Sequence, residues 1–192
     1  MTIEEMKDRL RPGLKHKRFV HSVNVMETAI LLARKYGVDE EKAAVAGLLH
    51  DCARDIKGEQ VFKLCDEMGI ETDYITRAQP ELLHGPIGAR LAETEYGISD
   101  AGILDAIRYH TTGCERMSML SKIVFIADYI EPGRTFPAVF EARKVVYNDI
   151  DKAILMSLEK TVRFVMDKGT LVHPNTINAR NYIIYERRNK AK

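Results

Sequence analysis

The sequence predicts an all-α fold, a single-domain helical bundle, on three observations. Apolar residues recur at three-and-four spacing along most of the chain, with almost no period-two alternation. Short Gly, Pro, Asp or Asn punctuation separates these stretches. A chain of 192 residues can also bury a sizeable apolar core without disulfides or a structural metal.

The elements follow in order. Thr2 with Glu5 three positions on has capping-box spacing, so a short first helix starts there and stops near Pro12 and Gly13. A longer helix is expected over about 15–36, with Val23, Met26, Ile30 and Ala33 on one face and Gly37 closing it. Asp39 can cap a third helix running through Ala43, Leu48 and Leu49 to His50. Further helices fit 58–68, 73–83, 86–96, 99–111, 118–130, 138–147, 149–168 and 174–188. Residues 131–137, with Pro132, Gly133 and Pro137, cannot continue the preceding helix. No linker, internal repeat or low-complexity segment interrupts the chain. Met117, Met119, Met156 and Met166 fit as core filler. Arg187, Arg188, Lys190 and Lys192 make a basic end of the kind that is usually solvated.

Composition narrows the function classes. Apolar residues are 45% and charged residues 30% of the chain, an ordinary globular balance. The 29 basic and 28 acidic side chains leave a formal charge of +1. No overall field therefore draws the protein onto nucleic acid or anionic lipid, and any phosphate binding must be local. Cys52, Cys65 and Cys114 are odd in number and lack Cys-x-x-Cys spacing, which suits reduced thiols. No signal-peptide pattern is seen, and no stretch approaches the roughly 20 apolar residues that span a bilayer. A cytoplasmic location, with no nucleic-acid or membrane partner, is expected.

The chemistry lies with the histidines. Of six, His21, His50, His84, His110 and His173 stand in suggestive contexts. His50-Asp51 closes the apolar run Ala43 to Leu49, but chance alone predicts about 0.4 such dipeptides here. The ordered series is more specific: His21, then His50-Asp51, His84, His110 and Asp128, each on or at the end of a different expected helix. Imidazole with carboxylate suits iron, manganese or zinc. Facing helices are how bundles build metal sites, and the two oxygens of Asp51 could bridge two ions. Each residue alone has a plainer reading. A lone buried His is usually a hydrogen-bonded core residue, Arg18 and Arg134 could be solvated charges, and His173 could merely shape a turn. A carboxylate beside a His after an apolar run, however, is costly to bury without a cation.

These residues resemble the HD-domain phosphohydrolases over nearly the whole chain, and within them the YqeK branch of symmetrical dinucleoside tetraphosphate hydrolases. The motifs are Arg18 to Val23, Gly47 to Asp55, His84-Gly85-Pro86, Ile107 to Gly113, Ala127 to Arg134, and Leu171 to Thr176. The resemblance implies that His21, His50, Asp51 and Asp128 ligate one metal, while His84 and His110 face a second metal or the substrate phosphates. It implies iron, as one or two ions, with manganese or another divalent metal as the alternative. Residues 15–135 would form the metal-site core, and helices over about 138–190 would complete the fold and nucleotide pocket.

Asp55 lies four residues after Asp51. If the helix continues that far, it faces the same way and could orient the attacking water or take its proton, or act one shell out. Arg18, one turn before His21, and Arg134 would neutralise polyphosphate. By resemblance, nucleotide or phosphate contacts also fall to His21, Asp51, Cys52, Ala53, Arg54, His84, His110, Thr111 and Asp128. The segment Val172, His173, Pro174, Asn175 and Thr176 joins them, at a helix start with free N–H groups.

The implied reaction cleaves diadenosine tetraphosphate to two ADP, with a GDP-like product also compatible. The nearer alternatives are a nucleotidase, a deoxynucleoside triphosphate triphosphohydrolase and a cyclic-nucleotide phosphodiesterase. Further ones are a nucleotide-sensing module without turnover and a helical scaffold that uses these residues only for packing. A symmetric homodimer is compatible with the sequence, which fixes no oligomeric state.

Overall fold

The computed structural model describes residues 1–190, and among the described residues there are helices and no strand. Thr2 accepts from the Glu5 N–H and Glu5 reaches back to the Thr2 N–H, so the capping box starts α1, Ile3–Leu10. A 3-10 turn over Arg11–Gly13 leads into α2, His16–Tyr36, which ends on Gly37 at φ 67. That left-handed conformation suits glycine. The buried face of α2 runs through Phe19, Ser22, Val25, Met26, Ala29 and Leu32. Val23 and Ile30, expected on that face, are half-buried at its edge.

Asp39 accepts from the Glu41 and Lys42 N–H groups and starts α3, Glu40–Leu49. His50 is its C-cap in helical conformation. Beyond it, residues 50–55 form successive turns. Helix α4 follows at Glu59–Glu67. The single helix expected over 73–83 is two elements, α5 at Tyr74–Ala78 and a 3-10 turn at Pro80–Leu83. Pro80 divides them, because it lacks the N–H a continuing helix needs. Helix α6, His84–Tyr96, begins two residues before the expected start and so includes His84.

The remainder is α7 at Ala101–Tyr109, α8 at Met119–Ile130, α9 at Pro137–Val145, α10 at Ile150–Asp167 and α11 at Pro174–Lys190. Leu120 to Ala127 of α8 are all buried, the mark of a helix surrounded by others. Its one buried lysine, Lys122, pairs with Asp151 of α10 at 2.8 Å.

Helix α2 packs on α3 and α8, α7 on α3, α6 and α8, and α10 on α8, α9 and α11. Their interior is one apolar cluster drawing residues from Met6 to Ile183. A small second cluster, with Val61, Cys65, Leu83 and Ile87, fastens α4 to α6. Met117 is buried as expected, but Met119 and Met166 are exposed. Arg187 pairs with Asp149 at 2.7 Å, and Lys192 of the basic end lies outside the described residues. Among the described residues no helix is long and apolar enough to cross a membrane.

Two glycines set the spacing at the centre of the bundle. A Cβ on Gly47 would stand 2.9 Å from Met26 Cα, and one on Gly85 would stand 2.5 Å from the Arg108 carbonyl oxygen. Helices α2 and α3, and α6 and α7, therefore meet backbone to backbone beside His50 and His84.

Candidate metal centre

The histidines of α2, α3, α6 and α7 point their Nε2 atoms at one another. His50 Nε2 is 3.3 Å from His21 Nε2, and His84 Nε2 is 3.0 Å from His110 Nε2. What lies on the opposite ring nitrogens fixes the tautomers. His50 and His110 donate Nδ1–H to the carbonyls of Gly47 and Ile107, each at 2.7 Å. His84 donates to Glu81 O. His21 donates to Glu131 Oε1 at 3.1 Å. With each Nδ1 holding the proton, four Nε2 lone pairs converge in a buried space, a mutually repulsive arrangement that a cation relieves.

Asp51 stands between the two histidine pairs, 3% exposed. Its Oδ2 is 3.4 Å from His50 Nε2 and 3.7 Å from His21 Nε2. Its Oδ1 is 3.1 Å from His84 Nε2 and 3.6 Å from His110 Nε2. Each oxygen thus serves a different pair. Asp128, near the end of α8, brings Oδ1 to 3.0 Å from His21 Nε2. His21, His50 and Asp51 make one group with ligand atoms mutually within 4.8 Å, and Asp51, His84 and His110 make another. Imidazole and carboxylate donors without thiolate fit a divalent first-row metal.

The charge distribution agrees. Burial works to raise the Asp51 carboxyl pKa, but where no cation lies between them His50, His110 and His84 supply the positive side when their Nε2 atoms are protonated, and they hold it well below the usual carboxylate range. Burial opposes ionisation of Asp128 in the same way, and His21, His50 and Arg134 overcome it, so that carboxyl is also strongly lowered. Burial pushes the His84 pKa down against the pull of Asp51, which keeps its Nε2 lone pair available.

Arg18 and Arg134 both reach the cluster. Arg18 donates to Asp51 Oδ2 at 2.6 Å, and Arg134 donates to Asp128 Oδ1 at 2.5 Å and to the Asp128 carbonyl at 3.0 Å. Thr111 Oγ1 touches both His84 and His110 Nε2, at 3.1 and 3.0 Å. Arg54 lies against His84, donating to the Glu81 carbonyl at 3.1 Å. Cys52 instead turns its thiol onto Gly88 O at 3.5 Å, and burial raises that thiol to about 12. Ala53 is packed in the small apolar cluster.

The helical continuation that would align Asp55 with Asp51 is absent, since α3 has ended and the backbone bonds here are i to i+3 turns. Asp55 instead accepts the Lys15 N–H at 2.8 Å, at the start of α2. It still lines two cavities beside Arg18. The 171–176 segment is separate from the histidines. His173 Nδ1 accepts the Asn175 N–H at 3.1 Å, Pro174 opens α11, Thr176 is buried and Val172 is half-buried. His173 and Asn175 face a cavity of about 580 Å³ whose wall includes Thr111, which connects them to the cluster.

One contact to the cluster, that of Glu131, has no local mark in the sequence strong enough to assign it. Glu131, 3% exposed, accepts from His21, from Asn24 Nδ2 at 2.9 Å and from the Gly133 N–H at 2.5 Å. It fixes the His21 tautomer as carboxylates behind metal-ligating histidines do. The available signal was Asn24, one helical turn after His21.

An all-helical bundle with a buried His/Asp cluster rimmed by arginines defines a class, the metal-dependent hydrolases of HD type. The HD domain family model matches residues 18–133, and the chain belongs to that family. It is 39% identical to the symmetrical bis(5'-nucleosyl)-tetraphosphatase of Bacillus subtilis (strain 168), over 96% of this chain and 98% of that one. It is 42% identical to the protein of the same name from Staphylococcus aureus (strain NCTC 8325 / PS 47), over 96% of each. The crystal structure described as a predicted HD superfamily hydrolase involved in NAD metabolism from Clostridium acetobutylicum superposes with a TM-score of 0.94. That protein is 47% identical, and the match covers 97% of this chain and 98% of that one.

Proposed function

We propose that this chain is a symmetrical bis(5'-nucleosyl)-tetraphosphatase, hydrolysing diadenosine tetraphosphate to two ADP. The observation that carries the chemistry is Asp51, buried between two histidine pairs with one oxygen toward each. Identity to the two tetraphosphatases over nearly full length carries the substrate. His21, His50, Asp51 and Asp128 would hold one ion, and Asp51, His84 and His110 would hold a second. Iron is the proposed metal, with manganese the alternative for the same nitrogen and oxygen donors. When bound, such ions supply Lewis acidity toward the phosphoryl oxygens and make water acidic enough to yield a nucleophile at neutral pH.

The chain's own residues do the rest. Arg18 and Arg134 place guanidinium groups beside the two carboxylates, where they neutralise phosphoryl oxygens and stabilise the charge that moves onto them during displacement. Water attacks one inner phosphorus in line, the bridging P–O bond at the centre of the tetraphosphate breaks, and its electron pair leaves on the second ADP. Asp55, with one oxygen tied to the Lys15 N–H, would take the proton from the attacking water with the other. One nucleoside would occupy the cavity between Thr111 and His173. The apolar cluster from Met6 to Ile183 supports treating residues 1–192 as one domain.

Hydrolysis in ¹⁸O-labelled water tests the proposal. Symmetrical attack gives ADP alone, with one label in half of it. AMP with ATP, or turnover confined to mononucleotides, would direct the assignment to another HD-type activity.

A further inference from the structure

With one nucleoside in the cavity bounded by Thr111, His173 and Asn175, the other half of a symmetric substrate needs a second site. A second pair of cavities lies around Arg18. One, of about 620 Å³, is bounded by Lys15, Lys17, Arg18, His21, Lys57 and Arg134, among others. The other, of about 380 Å³, shares Arg18, Asp55 and Lys57 with it and adds Arg54 and His84. The two adjoin as a groove at Arg18, Asp55 and Lys57, and Arg18 touches Asp51 Oδ2, while the first cavity meets the cluster through Thr111 and the His84–His110 pair.

The groove is cationic although the chain is nearly neutral. Lys15, Lys17, Arg18, Arg54, Lys57 and Arg134 line it. Among the described residues no carboxylate lies within ion-pair distance of Lys15, Lys17 or Lys57. Of the acids in the same walls, Glu81 keeps a free carboxylate at the rim of the smaller cavity, and the other two are engaged elsewhere. Asp55 accepts a backbone N–H, and the buried Glu131 accepts from His21, Asn24 and Gly133. Three unpaired ammonium groups beside a phosphate-handling centre set up an attractive local field for a polyanion. The smaller cavity also has an apolar floor of Ile56, Val61, Pro80 and Ile87, a surface suited to a nucleobase.

We infer that this lysine groove is the binding site for the second nucleoside diphosphate half of the substrate, with Lys15, Lys17 and Lys57 on its phosphates. The inference rests on the tetraphosphatase reading. Two unlike subsites then flank the cleavage point, and products with identical structures leave from different places. A single ADP bound in the Thr111–His173 cavity does not meet these lysines. The full tetraphosphate does.

The test is the double variant Lys17→Ala/Lys57→Ala in metal-loaded enzyme, with the single variant Lys57→Glu beside it. KM and kcat for diadenosine tetraphosphate and the Kd of the tighter ADP site are measured at two salt concentrations. Loss of two solvent-exposed phosphate contacts should raise KM roughly fivefold to tenfold. The salt dependence of KM should weaken, and the ADP Kd should stay within about twofold, on the order of the scatter between near-neutral surface changes. Lys57→Glu should raise KM further, and unaltered metal content shows that the centre is intact. Unchanged KM in both variants, or ADP affinity falling in step with KM, overturns the subsite. Wild type that releases no ADP from diadenosine tetraphosphate overturns the reading beneath it, so the two failures are separate results.

Discussion

The Glu131 carboxylate stands 3.1 Å from Nδ1 of His21, behind the ring edge that faces the other histidines. Because Asn24 and the Gly133 N–H also bind that carboxylate, the ring is oriented from a rigid anchor. Removing an outer partner of this kind commonly costs 10- to 100-fold in metal affinity. Glu131→Ala should therefore lose metal during dialysis against a chelator at concentrations where wild type retains it. Glu131→Gln, which keeps an acceptor for Nδ1–H, should recover part of the difference. Retention equal to wild type in the Ala variant would remove Glu131 from the account.

The metal-free protein should lose stability on mild acidification. Burial lowers the His84 pKa below its ordinary value of 6.5, so the unfolded chain takes up that proton first. The loss begins as pH falls through the unfolded value and stops growing below the folded one, with a slope of at most about 1.4 kcal/mol per pH unit for one group. Melting of chelator-treated protein from pH 7.5 to 5.5 should show a falling Tm, and the slope should be shallower in His84→Gln. An identical slope in the variant would assign the effect to other groups.

Gly85 separates packing from chemistry. A Cβ there meets the Arg108 carbonyl oxygen at 2.5 Å, and backbone cannot swing aside as a flexible side chain does. Gly85→Ala should cost about 1–3 kcal/mol, as overpacking commonly does, and displace His84 next to it. A lower Tm together with reduced metal content is expected. Gly37→Ala, at a φ of 67 with nothing near its Cβ, should lower Tm through backbone strain while leaving metal content at the wild-type level.

Much of this was legible locally. Thr2 with Glu5, Asp39, Gly37 and the Pro132–Pro137 connection each mark a helix end by chemistry confined to one turn, and each end falls within a residue or two of expectation. The spacing of His21, His50-Asp51, His84, His110 and Asp128 along successive helices led to the residues that meet in space. The misreadings have physical causes. The condition that would align Asp55 with Asp51 fails because His50 already caps α3, and the single helix expected over 73–83 is split by Pro80. Met119 and Met166 looked like core because a helix's period does not say which face the other helices cover. The Glu131 contact to His21 joins residues 110 apart, and the lysine groove joins residues from the start of α2, the turns after α3 and the α8–α9 connection. Such relationships exist only after folding, and no local pattern encodes them.

The central claim is that Asp51 joins two metal-holding histidine pairs into one hydrolytic centre. The direct measurement is metal content after anaerobic purification, with turnover of diadenosine tetraphosphate, in wild type and Asp51→Ala. Wild type should carry near-stoichiometric iron or manganese and release ADP, and the variant should lose both. A wild type without metal, or a variant that keeps both metal and turnover, would contradict it.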